Sequence, residues 1–167
     1  DIAVVSKITL PWNTEAGYGA VAFDGTVRLN EDLVPRLGLN KGHIQEGIDQ
    51  TTHKVLRRVA KFRGDRPLPD LSKHPAILVD DGLASGFTML VAVEALHKAG
   101  AEDIRVAVPT GHWSALQRMA QEVEAVYCAN VRSGLSFAVA DAYRAWTDVP
   151  EEEAIAIYKR ASAPSSP

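Results

Sequence analysis

Residues 76–89 read Ala-Ile-Leu-Val-Asp-Asp-Gly-Leu-Ala-Ser-Gly-Phe-Thr-Met, the most informative stretch of the chain. The short aliphatic run at its start is typical of a central strand of a parallel sheet covered on both faces. Asp80-Asp81-Gly82 cannot continue a dry core, so the strand ends there. From Thr88 the apolar residues recur every three to four positions, and Gly100 supplies a C-terminal stop. The sequence therefore predicts a helix that starts within the turn.

The turn between this strand and this helix carries the groups of a phosphosugar site. Unpaired backbone N–H groups and the positive end of the helix dipole favour an anion over residues 84–88, where Ser85 and Thr88 add hydroxyl donors. Asp80 and Asp81 would repel that anion and suit ribose hydroxyls and a divalent cation carried by the ligand. A polar strand end and a serine N-cap each occur by chance, but the contiguous string favours a site. The glycine patterns of dinucleotide and nucleoside triphosphate loops are absent from the sequence.

Residues 77–88 resemble the phosphoribosyl diphosphate (PRPP) binding motif of the type I phosphoribosyltransferases, in which a hydrophobic strand leads into two acids and then Thr/Ser-Gly-x-Thr. The resemblance implies that Asp80 and Asp81 bind the ribose 2′- and 3′-hydroxyls, directly or through Mg²⁺, and that residues 84–88 hold the 5′-phosphate. Ala84 stands where the 6-oxopurine branch usually has Asp, which disfavours hypoxanthine and guanine. Phe87 replaces a frequent glycine but keeps the backbone N–H. The implied PRPP-binding residues are Lys7, Asp80, Asp81, Gly82, Leu83, Ala84, Ser85, Gly86, Phe87 and Thr88.

Residues 1–7, 11–22 and 62–67 extend the resemblance to a bacterial subgroup of predicted phosphoribosyltransferases, so that it covers about residues 1–150. Lys7 matches a basic residue that contacts the pyrophosphate of PRPP in the family, although a lysine after a strand is otherwise a solvated end. Family members begin with a strand and a pyrophosphate-binding loop, often Arg-Gly-Gly, that has no counterpart in residues 1–167. A truncated or processed chain, an impaired activity and a loop from another subunit all remain open.

The composition of the chain limits the number of domains and the classes of partner. The 167 residues, of which 46% are hydrophobic and 23% charged, predict one domain over residues 1–161 and a disordered tail over 162–167. A net charge of −3 argues against capture of nucleic acid or an anionic membrane. The sequence shows no membrane span and no signal peptide, which favours the cytoplasm, and a homo-oligomer is left open. The single Cys128 excludes an intrachain disulfide and is expected to be buried.

The remaining chain predicts an α/β fold with an open, twisted, mainly parallel sheet, helices on both faces and a small β-hairpin. Strands are expected over residues 2–5, 76–79, 104–108 and 125–131, with the hairpin over 19–23 and 26–29 at Asp24-Gly25. Helices are expected after Asn30, with Glu31 and Asp32 in the first turn, over 43–63, from Thr88, and over 114–122. Ligands of such sheets bind at the carboxyl ends of the strands, where Asp80 and Asp81 lie.

Two further groups of residues have a functional and a structural interpretation. The back of the 43–63 helix is either a solvated face or a mobile lid over the pyrophosphate, and its basic residues are Lys54, Arg57, Arg58, Lys61, Arg63 and Arg66. Phe137, Tyr143 and Trp146 either stack on the acceptor base as a hood or pack in the core. His112 either acts as a general acid or base or is merely solvated.

The leading hypothesis from the sequence is a Mg²⁺-dependent transfer of the phosphoribosyl group from PRPP to a nitrogenous base, with release of pyrophosphate. A non-catalytic module that senses PRPP or a nucleotide on the same fold is the alternative. A PRPP synthase would need ATP recognition and a duplicated domain, for which the chain is too short.

Overall fold

The computed structural model describes residues 2–134 and 137–162, which form two three-stranded sheets and their helices. Strands β1 (Val5–Leu10), β2 (Asn13–Ala22) and β3 (Val27–Leu29) form an antiparallel sheet in the order β1-β2-β3. Strands β4 (Ala76–Val79), β5 (Ile104–His112) and β6 (Ala125–Arg132) form a parallel sheet in the order β4-β5-β6. The helices are α1 (Lys41–Arg63), α2 (Phe87–Lys98), α3 (Trp113–Met119) and α4 (Glu151–Ser162), with 3₁₀ turns at Val34–Leu37 and Val139–Ala142.

The predicted α/β class and the parallel sheet are confirmed. The chain runs β4, α2, β5, α3, β6, which is the alternation that the sequence indicates. The expectation that β4 is a central strand covered on both faces is wrong, since β4 lies at the edge of its sheet. The residues Ile77 and Val79 are 63% and 73% exposed. An aliphatic run thus predicted the strand but not how many of its faces are covered.

The predicted hairpin is confirmed and belongs to a larger antiparallel sheet. Its turn is held by Asp24, whose carboxylate accepts hydrogen bonds from the backbone N–H of Thr26 at 2.9 Å and its hydroxyl at 2.7 Å. The strand expected over residues 2–5 is instead β1, because its ladder with β2 begins at Val5 pairing with Ala22. Within β1 the buried side chains alternate, so it presents one face to the core.

Helix α2 lies between the two sheets. Its residues Val91 and Ala95 pack with Ala20 and Ala22 of β2, whereas Met89, Val93 and Leu96 belong to the core under the parallel sheet. This double burial explains why α2 is apolar on most of its surface. It also fixes the N-terminal end of α2, which follows residues 80–86, the acidic turn.

Two helix starts differ from those predicted from the sequence. Helix α1 starts two residues before the predicted position, at a cap in which Asn40 Oδ1 accepts the His43 N–H at 2.8 Å. Glu31 and Asp32 do not open a helix, because they lie in a turn that precedes the 3₁₀ segment.

Helix α4 was not predicted from the sequence. The predicted tail begins at Ser162, the last residue of α4, and residues 163–167 lie outside the described part of the chain. Within the described residues, no helix has the length and apolar character needed to cross a membrane.

Candidate active site

The acidic turn is tied to the end of the neighbouring strand. After β4 ends, the backbone N–H of Leu83 donates to the Thr110 carbonyl at 3.0 Å, and the His112 N–H donates back to the Leu83 carbonyl at 2.8 Å. These two bonds hold residue 83 as a parallel bridge against Gly111 of β5. Asp80 and Asp81 therefore stand at the carboxyl end of the sheet, as the sequence indicated.

The turn then enters α2 through a left-handed residue. Gly86 has φ of +69° and caps the helix, a conformation that side chains disfavour. The Phe87 N–H donates to Ser85 Oγ at 3.3 Å, and Arg118 Nη2 donates to the Ser85 carbonyl at 2.7 Å. The backbone N–H groups at the start of α2 have no helical carbonyl to bind, so this end of the helix suits an anion.

Asp80 and Asp81 are both exposed residues at the end of the sheet. Asp80 Oδ1 accepts the Asp81 N–H at 3.0 Å. Burial raises the pKa of Asp80, and the neighbouring charge of Asp81 raises it further. Burial also raises the pKa of Asp81. Because the charged forms are disfavoured, hydroxyl donors or a cation at this pair would relieve the cost.

The chemistry of the acid pair is compatible with a magnesium ion. Among residues 2–134 and 137–162, no group of three or more His, Cys, Asp or Glu side chains is placed to hold a metal. Mg²⁺ is often bound by one or two carboxylates together with water and phosphate oxygens, so it does not need a complete protein cage. Asp80 and Asp81 would be its protein ligands, directly or through ribose hydroxyls and water.

A cavity of about 400 Å³ opens beside the acid pair. The cavity is lined by Asp80 at the start of the acidic turn, Thr88 in the first turn of α2, and Lys7 of β1. Residues 81–87, which connect Asp80 to Thr88, are not among the described lining residues. The fold thus brings together three of the sequence-predicted site residues from three separate elements.

The basic residues from Lys54 to Arg63 lie in the second half of α1, and Arg66 follows the helix. Lys54 and Arg58, one helical turn apart, line the same cavity as Lys7 and Asp80. Burial lowers the pKa of Lys54, and the charges of Arg58 and Arg57 lower it further. The sequence flagged the whole basic stretch but did not single out these two residues.

A family model for the phosphoribosyl transferase domain matches residues 31–123, more than half of the chain and the whole of the acidic turn. The chain belongs to this phosphoribosyl transferase family. The match begins after Lys7, which the fold nevertheless places at the cavity.

Relatives agree with this assignment. Two Mycobacterium tuberculosis proteins, from strains CDC 1551 / Oshkosh and ATCC 25618 / H37Rv, are each named "Putative phosphoribosyl transferase" and are 32% identical to this chain over 161 residues. The match covers 96% of this chain and 36% of each relative, so the chain spans about a third of the length of these curated relatives. The crystal structure of the protein TT1426 from Thermus thermophilus is similar with a TM-score of 0.69 and 26% identity, over 96% of this chain and 75% of that one.

The aromatic residues after β6 form two groups. The Tyr143 hydroxyl donates to the Asp81 carbonyl at 2.7 Å, and the Tyr143 and Trp146 rings meet edge to face with centroids 5.0 Å apart. The Phe137 ring lies 6.2 Å from the His112 ring. Tyr143 and Trp146 are thus placed beside the acid pair, and their role as an acceptor hood stays a prediction.

His112 is engaged by its own surroundings. Its Nδ1 lies 2.8 Å from Ser114 Oγ at the start of α3, and its Nε2 lies 3.0 Å from the Gly134 carbonyl oxygen. A carbonyl partner assigns the proton to Nε2. His112 is not among the described residues that line the cavity, and its role as a general acid or base stays a prediction.

Sequence reasoning missed Arg118 and Val139 altogether. Arg118 holds the turn through the Ser85 carbonyl, and Val139 packs against Gly82. Neither residue lies near the motif in sequence, and nothing in their local pattern distinguishes them from a surface arginine and a loop valine.

Proposed function

We propose that this chain carries out the Mg²⁺-dependent transfer of a phosphoribosyl group from PRPP to a nitrogenous base, with release of pyrophosphate. The observation that carries the proposal is the shared cavity, in which Asp80, Thr88 and Lys7 meet. Carboxylates, an anion-binding helix start and a cation are the three chemistries that a sugar with phosphates at both ends requires.

Each part of the substrate has a counterpart in the proposed site. The ribose 2′- and 3′-hydroxyls donate to Asp80 and Asp81, whose desolvated carboxylates gain from such donors. The 5′-phosphate accepts from the backbone N–H groups of residues 84–88 and from the Thr88 hydroxyl. The diphosphate group at C1 lies towards Lys7. This arrangement holds the sugar from both ends and leaves C1 accessible.

The reaction needs placement more than a reactive side chain. The bond between C1 and the diphosphate oxygen breaks with its electron pair leaving on oxygen, and a nitrogen lone pair of the base forms the new bond to C1. The ribose carries positive charge in between, and positioning with electrostatic stabilisation lowers the barrier. Mg²⁺, when bound, neutralises charge on the leaving group. The residues assigned above bind the two ends of the sugar, and the Tyr143 hydroxyl holds the backbone of Asp81 through its hydrogen bond.

The test combines binding with turnover. The full chain is incubated with Mg²⁺ and PRPP and with a panel of purines, pyrimidines and simple amines, and pyrophosphate release is measured. We expect release with at least one acceptor. We expect the double variant Asp80→Asn, Asp81→Asn to bind PRPP at least about tenfold more weakly, since charge-assisted hydrogen bonds contribute roughly 1.5–3 kcal/mol each.

The control is Asp65→Asn, which removes the same charge at an exposed position in the turn after α1 and should leave PRPP affinity unchanged. Binding of PRPP without release under every acceptor would support the sensing module instead. Unchanged PRPP affinity in the double variant would count against both functions.

A further inference from the structure

One carboxylate of α4 is held by three cations of α1. Glu151 Oε1 accepts from Lys61 Nζ at 2.6 Å, and Glu151 Oε2 accepts from Arg58 Nε at 2.9 Å. Arg57 Nη2 lies 3.8 Å from the same Oε2. The Glu151 side chain is only 17% exposed, so this contact is sheltered and anchors the start of α4 on α1.

Arg58 is shared between this ion pair and the cavity. Its guanidinium donates to Glu151 through Nε and lies 3.4 Å from the Ser6 hydroxyl through Nη1, while its side chain lines the 400 Å³ cavity. Ser6 is buried in β1 next to Lys7. The same arginine therefore contacts both α4 and the wall of the proposed PRPP site.

The cavity wall carries more positive than negative charge. Lys7, Lys54 and Arg58 line it, and Asp80 is the acidic residue among the described lining residues. Glu151, which is not among the described lining residues, pairs with Arg58 and reduces the positive potential that the arginine presents to the cavity. An anion in the cavity and the Glu151 carboxylate would therefore interact with the same guanidinium.

We propose that Arg58 binds the diphosphate group of the substrate and is shared with Glu151, so that anion binding in the cavity and docking of α4 on α1 oppose each other. The inference rests on the proposed function, from which it takes its ligand. Two sites coupled in this way affect each other equally, because linkage between binding equilibria is reciprocal. A second contact of α4, in which Arg66 Nη2 donates to the Tyr158 hydroxyl at 2.8 Å, involves a residue beyond the end of α1.

The first arm of the test measures the affinity of the full chain for inorganic pyrophosphate and for PRPP by titration calorimetry. We expect Glu151→Gln to raise both affinities by about three- to tenfold. This factor is the size expected for a partly exposed charge interaction and for a modest coupling between two sites. Glu152→Gln is the matched control, since it removes the same charge from the same helical turn at an exposed position. It should change the affinities less than twofold. In an Arg58→Gln background, the gain from Glu151→Gln should be smaller, and the part that remains would act through the charge of Lys54.

The second arm measures how anion binding in the cavity affects the docking of α4. Saturating pyrophosphate should speed amide hydrogen exchange in residues 151–162 of the wild-type chain, and this response should disappear in Arg58→Gln, whose fold is checked by circular dichroism. The inference is overturned if Glu151→Gln binds pyrophosphate and PRPP no more tightly than the wild type, or if Glu152→Gln gains as much affinity as Glu151→Gln. In either case, turnover of PRPP by the wild type would still support the proposed function. A wild-type chain that binds neither PRPP nor pyrophosphate overturns both.

Discussion

At the scale of single residues, Gly82 is the position on which the acidic turn depends sterically. A Cβ atom there would lie 2.7 Å from Val139 Cγ1 and 2.9 Å from Thr110 Cγ2. Thr110 cannot easily move, because it is buried and its hydroxyl donates to the Asn130 carbonyl at 3.2 Å. The third residue of Asp-Asp-Gly is therefore glycine because two neighbouring side chains fill the space.

We expect Gly82→Ala to lower the free energy of unfolding by about 1–3 kcal/mol, the usual cost of overpacking a filled site. Adding Val139→Ala should restore part of the loss, since it removes the nearer of the two contacts. Urea denaturation of the single and double variants checks both statements. A Gly82→Ala chain as stable as the wild type would show that the turn has room.

Residues of the site differ in how far sequence could identify them. Asp80, Asp81 and Thr88 belong to one contiguous pattern whose chemistry is complete in itself, so they could be named from the sequence. Arg118 and Tyr143 act on that pattern from 33 and 62 residues away. Only the folded chain brings them to the backbone of the turn, and an isolated arginine or tyrosine carries no local signal of such a contact.

At the scale of elements, the sequence predicted the type of the main helices and strands better than their limits. The strand expected over 104–108 continues through Pro109 to His112, because β6 pairs with it on both sides of the proline. Proline suggests a break, since it has no N–H to donate to a neighbouring strand. Helix α4 was missed although Glu151, Glu152 and Glu153 are typical of a first turn, because its anchoring partners lie on α1.

The attachment of α4 should depend on pH through Glu151. Hydrogen bonds from Lys61 and Arg58 lower the pKa of Glu151 from 4.5 to about 2. A carboxyl group with a depressed pKa in the folded state stabilises that state above its ordinary pKa, and this stabilisation is lost as the pH falls through the folded value. The contribution of Glu151 is therefore complete above about pH 4.5 and declines towards pH 2.

We expect the difference in unfolding free energy between the wild type and Glu151→Gln to be constant from pH 7 to about 5 and to shrink steadily below that. Urea denaturation at about pH 6, 4 and 3 measures it, with Glu152→Gln as the variant whose difference should not follow this profile. A difference for Glu151→Gln that stays the same across this range would contradict the assignment.

At the scale of the whole molecule, α2 joins the antiparallel and the parallel sheet into one folded unit. Ala20 and Ala22 of β2 are fully buried against Ala95 of α2, so small side chains set the distance between helix and sheet. The acidic turn at the start of α2 and Lys7 on β1 can line one cavity because this layer holds them together.

Ala95→Leu should disturb both sheets. We expect it to lower the free energy of unfolding by about 1–3 kcal/mol, because the added atoms have no space between α2 and β2. Hydrogen exchange should lose protection to the same extent in β2 and in β5, whereas Ala154→Leu in the half-buried face of α4 should leave both strands protected. Loss of protection in β2 alone would mean that the two sheets unfold separately.

The hydrogen bond from Tyr143 to the backbone of Asp81 ties the segment after the last strand to the acids that are proposed to hold the sugar. The same segment is the predicted hood for the acceptor base, so a change in it that suits a new base would also alter how these acids hold the proposed donor sugar. Chimeras that exchange residues 137–146 between relatives should therefore change the Michaelis constants of both substrates together.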